Sequence, residues 1–334
     1  MQVSPLRGIY SPIRKKGDDE VKCAYLPEGS LLNRPENLTK CASADSLLRC
    51  VTTRDVLEGI AMASDAQHNL IVKVGPFTGV IPRQEAALGI SEGSTREIAI
   101  LARVGKPVAF VVTGMELTDQ GEPRPILSRC QAQALALSHL LATLQPGQII
   151  PAVVTHLEPF GAFVDVGCGV PSMIGIENIS ISRLPHPDQR FQVGQRVRAV
   201  VTGLDRDKGR ILLSHKELLG TWEENAARFT PGMTVPGCIR SVKDYGLFVE
   251  LTPNLSGLAE PKAGYVQGEW VSVYIKSIQP QFMKIKLLLI DHLSADAQSA
   301  PLEYFLTSGI LEHWRYAPAG CKKPGYEVVF NPLP

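Results

Sequence analysis

The sequence predicts an all-β protein with helical linkers, built as three tandem five-stranded barrels, the first of them degenerate. Three observations carry this. The first is internal repetition. "PFGAFVDV" at 159–166 returns as "DYGLFVEL" at 244–251. At the same 85-residue offset Pro146-Gly147 returns as Pro231-Gly232, Phe160 as Tyr245, Gly161 as Gly246, Phe163 as Phe248 and Val164 as Val249. Self-similarity at a fixed spacing means tandem modules. Looser echoes ("VVTGMELTDQGEPRPILSR" at 111–129 against "VVTGLDRDKGRILLSH" at 200–215; "IVKVGPFTGVIP" at 71–82 against "FVDVGCGVPSMIGI" at 163–176) extend the series upstream. The second observation is that each unit reads as short strands, and the third is that the segments between units read as helices.

The units fall at 51–130, 146–217 and 231–292. In the middle unit the apolar runs are Gln148–His156, Phe160–Val166, Ser172–Ile176, Arg196–Leu204 and Arg210–Ser214, rich in Val, Ile and Phe and punctuated by Gly or Pro. Five strands in so short a module, with a longer excursion between the third and fourth, fit a small closed barrel of the OB type. An open sheet is the alternative, but so small a module could hardly cover its edges. The linkers are 131–145, overlapping "CQAQALALSHLLATL" (130–144) and stopping at Pro146, and 218–230, overlapping "HKELLGTWEENAARF" (215–229) and stopping at Pro231. Residues 1–50, with "SPIRKKGDDE" and little periodicity, read as an N-terminal extension holding at most a short packed segment. Residues 293–334 form a C-terminal tail, in which "PLEYFLTSGILEHWRYAP" is helix-like and Trp314 and Tyr316 pack on the last barrel.

Composition bounds the function. Of 334 residues 44% are hydrophobic and 20% charged, with net charge +1, so this is globular material with no domain-wide basic field to attract a polyanion. Any nucleic-acid binding must rest on local patches and stacking. The seven cysteines (23, 41, 50, 130, 168, 238, 321) are odd in number and include no C-x-x-C pair. That pattern argues against a disulfide framework and a metal site, and no cofactor is expected. The first 20 residues show no apolar signal core, and the most apolar run, "ALALSHLLATL", is too short for a membrane span. The expectation is a cytoplasmic protein with no membrane partner.

Side chains alternate along a strand. In the second strand of the middle unit Ala162, Val164 and Val166 therefore share the barrel interior, while Phe163 faces outward beside Asp165. In the third unit Leu247, Val249 and Leu251 stand against Phe248 and Glu250. Phe160 and Tyr245 sit at the strand entrance, where the following glycine allows a bend toward the same surface. Such rings either cover the barrel under a loop or form a platform on which bases stack, at roughly 1–3 kcal/mol per base.

The run "PGQIIPAVVTHLEPFGAFVDVG…SMIGIENIS…HPDQRFQVGQRVRAVVTGLDRDKGRILLSHKE" resembles the S1 RNA-binding domain, the repeat of ribosomal protein S1. The layout is similar to small S1-like proteins of clostridial-type bacteria. In that family single-stranded RNA crosses the barrel face. The resemblance implies contacts from Phe160, Phe163, Asp205 and Arg210, while the family's histidine position falls on Gly175. Arg210 can meet a phosphate or stack on a base, and Asp205 can accept from a base edge or a ribose 2′-hydroxyl. The "SRLPHPDQR" loop offers Arg183, His186 and Arg190 as phosphate contacts, or is simply solvated.

The third unit supplies Tyr245, Phe248 and Lys284. It has Gln279 at the aspartate position and Glu260 at the histidine position, so weaker RNA binding is expected there. In the first unit the aromatic positions read His68 and Ile71, which implies ribosome or protein contact instead. Lys and Arg against Asp and Glu number eight to seven in 146–217 and six to five in 231–292, which predicts a shallow salt dependence. The partners expected are single-stranded RNA and, through the ribosome, the small subunit. The competing class is a protein- or ribosome-interaction module. An enzyme is not expected: the sequence shows no carboxylate cluster at metal-ligand spacing, phosphate loop or nucleophile motif.

Overall fold

The structure is a computed structural model that describes residues 25–294, 302–322 and 325–330. The basic stretch near the N-terminus and the expectation about a signal segment lie outside the described residues. Helices α1 (Pro35–Lys40) and α2 (Ala44–Thr53) precede a first barrel of β1 (Val56–Ser64), β2 (Leu70–Val74), β3 (Phe77–Ile81), β4 (Pro107–Leu117) and β5 (Pro123–Ser128), with α3 (Ile98–Leu101) between β3 and β4. Helix α4 (Arg129–Thr143) leads to β6 (Ile149–Glu158), β7 (Gly161–Asp165), β8 (Pro171–Gly175), β9 (Arg196–Asp205) and β10 (Arg210–Ser214). Helix α5 (Trp222–Ala226) leads to β11 (Thr234–Lys243), β12 (Gly246–Thr252), β13 (Leu255–Ala259), β14 (Trp270–Gln279) and β15 (Lys284–His292). A two-stranded ribbon, β16 (His313–Arg315) with β17 (Glu327–Val329), ends the described chain.

All three sheets close into barrels with the same neighbour order, first-second-third-fifth-fourth and back to the first. The first unit, degenerate in sequence, keeps the full topology. Closure follows from the alternation. In the middle barrel Ala152, Val154, Ala162, Val164, Ile174, Val197, Ala199, Val201, Ile211 and Leu213 are buried together, so the inward residues of all five strands remove their apolar area from water at once.

The glycine after each entrance aromatic has a role beyond the bend expected of it. A Cβ on Gly161 would stand 2.6 Å from the Ile174 carbonyl oxygen, and one on Gly246 would stand 2.4 Å from that of Ala259. Both glycines are required by the close approach of the next strand.

Two further expectations are corrected. The segment containing Trp314 is extended and loop-like, with the short β16, not helical. Its aromatics still behave as predicted, since Trp314 and Tyr316 are buried in the cluster of the third barrel. The segment before 51 is also more than an extension. Ser43 accepts from the Ser46 N–H and caps α2, while Leu47 and Cys50 join the first barrel's core.

The described segment from Tyr25 onward sews the first two barrels together. The Glu28 carboxylate accepts two bonds from Arg129, at 2.7 and 3.0 Å, and one from the Ala109 N–H at 3.0 Å. Its own N–H donates to Asp165 Oδ2 at 2.7 Å. Burial alone would raise the Glu28 carboxyl, but Arg129, the Ala109 amide and Arg103 hold it below its usual range. Burial and then the Glu28 charge push Asp165 up to about 7.

The linker before the third barrel is not the free tether its length suggests. Asn225 on α5 donates to the Leu219 carbonyl at 2.8 Å and its side-chain oxygen accepts from Thr252 at 2.7 Å, while Trp222 is buried with the third barrel's core. The six described cysteines are free, and no helix among the described residues is long and apolar enough to cross a membrane.

Candidate nucleic-acid interface

Antiparallel pairing of β6, β7 and β8, and the parallel step to β10, sets a row of side chains across the middle barrel's outer wall. His156 pairs with Phe163, Phe163 with Met173, Met173 with Leu212, and Leu212 with Gly203. Phe163 is half-buried by these neighbours, and Met173 and Leu212 are exposed. Phe160 stands at the entrance of β7, 56% exposed, its ring centroid 6.0 Å from that of Phe163 and its plane at 85° to it. The third barrel repeats the arrangement. Tyr245 is 65% exposed, with its centroid 6.1 Å from Phe248 at 89°. An edge-to-face pair is a favoured aromatic geometry that leaves ring faces bare.

Arg210 and Asp205 face each other across β9 and β10. Arg210 is exposed. Asp205 is half-buried and accepts from the Lys208 N–H at 3.0 Å, so part of its capacity closes the hairpin turn. In the third barrel Lys284 faces Gln279 in the corresponding pair. Lys284 also lines a groove with Tyr245, Leu258, Glu260, Lys276 and Lys286. The sequence reading missed Lys276 and Lys286. Lys276 faces outward by the alternation of β14, with Val271, Val273 and Ile275 buried between more exposed neighbours, but it stands at no motif position. It pairs with Glu260 at 3.2 Å, which offsets the carboxylate expected to oppose RNA.

The loop after β8 splits the three proposed phosphate contacts. Arg183 is exposed. His186 caps the turn that follows, its Nδ1 accepting from the Asp188 N–H at 3.2 Å. Arg190 is not available to a phosphate. Its side chain is 5% exposed and donates to both oxygens of Glu250, at 3.0 and 2.9 Å. Glu250 also takes two bonds from Arg240, at 3.1 and 2.9 Å.

Glu250 is therefore not a solvent-facing carboxylate beside Phe248, and Asp165 is likewise buried beside Phe163. In both barrels the outward acid at that strand position fastens a neighbouring segment. The same loop makes further bonds to the third barrel, from the Ile181 N–H to Asn254 at 3.0 Å and between Ser182 and Ser256 at 3.1 Å.

In the first barrel no aromatic pair forms. His68 adopts φ +64° in a turn and pairs with Glu97 at 3.1 Å, and Ile71 is half-buried.

Comparison with known proteins agrees with this geometry. Residues 143–216 match the family described as the S1 RNA binding domain. The small ribosomal subunit protein bS1 of Leuconostoc lactis is 33% identical over 185 residues, 51% of this chain and 43% of that protein. The bS1 homolog of Bacillus subtilis (strain 168) is 33% identical over 250 residues, 73% of this chain and 62% of that protein. The chain thus spans about half the length of these curated relatives. A solved multidomain protein with nucleic acid binding domains from Streptococcus pneumoniae covers 73% of this chain and 78% of its own, at 16% identity and TM-score 0.24, a likeness too slight to argue from. The match at 143–216 spans the middle barrel, whose closed five-stranded order the other two barrels share.

Proposed function

We propose that this chain is a non-catalytic cytoplasmic protein that binds single-stranded RNA, mRNA above all, in translation or mRNA handling. The observation that carries the reading is the duplicated edge-to-face aromatic pair, Phe160 with Phe163 and Tyr245 with Phe248, on the outer wall of two barrels. Unpaired bases can stack on such rings, each adding roughly 1–3 kcal/mol. Arg210 and Lys284 stand at the same register position to meet phosphate, and Asp205 and Gln279 lie opposite them to accept or donate at base or ribose. Fluorescence anisotropy with short U-rich and A-rich RNA oligomers and their DNA counterparts tests it. Binding of RNA in preference to DNA supports a contact to the 2′-hydroxyl; no binding of either contradicts the reading.

The first barrel favours a second role beside this one. It lacks the aromatic pair, and its exposed large hydrophobics include Met62, Ile98, Leu101, Val104 and Leu117. An apolar exterior without stacking rings suits contact with protein, and the small ribosomal subunit is the partner we propose for it.

A further inference from the structure

The two RNA-facing walls differ in chemistry at matching positions. The middle barrel's row runs His156, Phe163, Met173, Leu212 and Gly203, with no formal charge unless the histidine is protonated. The same row in the third barrel runs Ser241, Phe248, Leu258, Lys286 and Ser277. Lys286 thus stands where the middle barrel has Leu212. Lys284 lies two residues before it on the same outward face of β15, and Lys276 projects from β14 beside them. All three line one groove with Tyr245 at its rim. Among the described residues the one carboxylate lining that groove, Glu260, is paired to Lys276.

The balanced charge count of the third unit hides this segregation. Glu250 is buried against Arg190 and Arg240, so it does not offset the groove lysines. In the middle barrel the half-buried Glu158 is hydrogen-bonded to His156 at 2.7 Å.

We infer that the two walls grip different parts of one RNA strand: the middle barrel holds bases on an apolar row that Met173 and Leu212 extend beyond Phe163, and the third barrel holds the sugar-phosphate backbone through Lys276, Lys284 and Lys286. This rests on the RNA-binding reading above. Stacking and apolar contact release no counterions, whereas each neutralised phosphate adds about 0.7 to the salt slope of single-strand binding. The larger part of the salt dependence therefore resides in the third barrel, with three groove lysines against the single Arg210 of the middle barrel.

The test is anisotropy of a labelled oligouridylate, long enough to span both barrels, against the full chain over a salt series. Lys276→Ala/Lys284→Ala/Lys286→Ala should flatten the slope of log Kd against log salt by about 2. Met173→Ala/Leu212→Ala should weaken binding severalfold at every salt concentration and leave the slope unchanged. Glu260→Gln, which frees Lys276, should steepen the slope by about 0.7. A triple lysine variant that binds RNA with the wild-type slope overturns this division while leaving RNA binding intact. So does an apolar variant that flattens the slope as much as the lysine variant. Failure of the wild-type chain to bind the oligomer overturns both readings.

Discussion

Arg190, from the loop after β8, meets Glu250 of β12 with one guanidinium nitrogen within 3.0 Å of each carboxylate oxygen, both side chains only 5% exposed. This contact fixes the third barrel against the second, and Arg240 completes the coordination of the carboxylate. Burial opposes ionisation of Glu250, yet Arg190 and Arg240 hold its carboxyl below the usual range.

Removing one partner of a buried ion pair typically costs about 3–5 kcal/mol, because the other charge is left without compensation. Glu250→Gln leaves two buried guanidinium groups facing a neutral amide. A fall of that size in the urea-unfolding free energy is expected, with a smaller fall for Arg190→Met, which leaves Glu250 paired to Arg240.

His215 supplies a pH dependence. It is buried, its Nδ1 lies 2.7 Å from the Ile179 carbonyl, which can only accept, so Nδ1 carries the proton. Nε2 then accepts from the Tyr304 hydroxyl at 3.1 Å, and Tyr304 in turn accepts from the Arg198 N–H at 3.2 Å. Burial pushes the His215 imidazole down to about 4. An unfolded histidine titrates near 6.5, so the unfolded chain binds the extra proton first as pH falls. Stability should be full above about pH 6.5 and decline toward pH 4, by on the order of 3 kcal/mol from this group. Thermal melts across that range should show the decline, and His215→Gln should flatten it.

Gly161→Ala places a methyl group 2.6 Å from the Ile174 carbonyl oxygen, closer than such contacts allow. The β7–β8 pairing must open to admit it. A loss of about 1–3 kcal/mol is expected in chemical unfolding, the usual range for a disruptive point change. Gly203→Ala, whose Cβ would lie at an ordinary 3.5 Å from Leu212, should cost far less.

How much of this was legible depends on what strand alternation can encode. The five strands of the middle barrel lie within two residues of the apolar runs, because strict alternation and Gly or Pro breaks define them locally. Alternation also placed Phe163 and Phe248 outward. It cannot tell that the same outward wall is partly covered by another segment, so Asp165 and Glu250 read as outward-facing and Arg190 as a phosphate contact or a solvated loop residue. Those assignments depend on pairings 60 or more residues apart in sequence, as between Arg190 and Glu250 or Glu28 and Asp165. Lys276 and Lys286 escaped because matching to a family motif inspects only the motif's own positions. The tail's apolar spacing suggested a helix, but Tyr304, Trp314 and Tyr316 instead satisfy neighbouring barrels in an extended path.

The central claim is that the outward rings of two barrels seat RNA bases. Anisotropy of U-rich and A-rich RNA oligomers against wild type and Phe163→Ala/Phe248→Ala, with circular dichroism as the check on fold, measures it most directly. The account predicts a loss of at least about tenfold, near 1.4 kcal/mol, with the β spectrum unchanged. Wild-type affinity in a folded double variant would contradict it, and would assign these walls to protein contact.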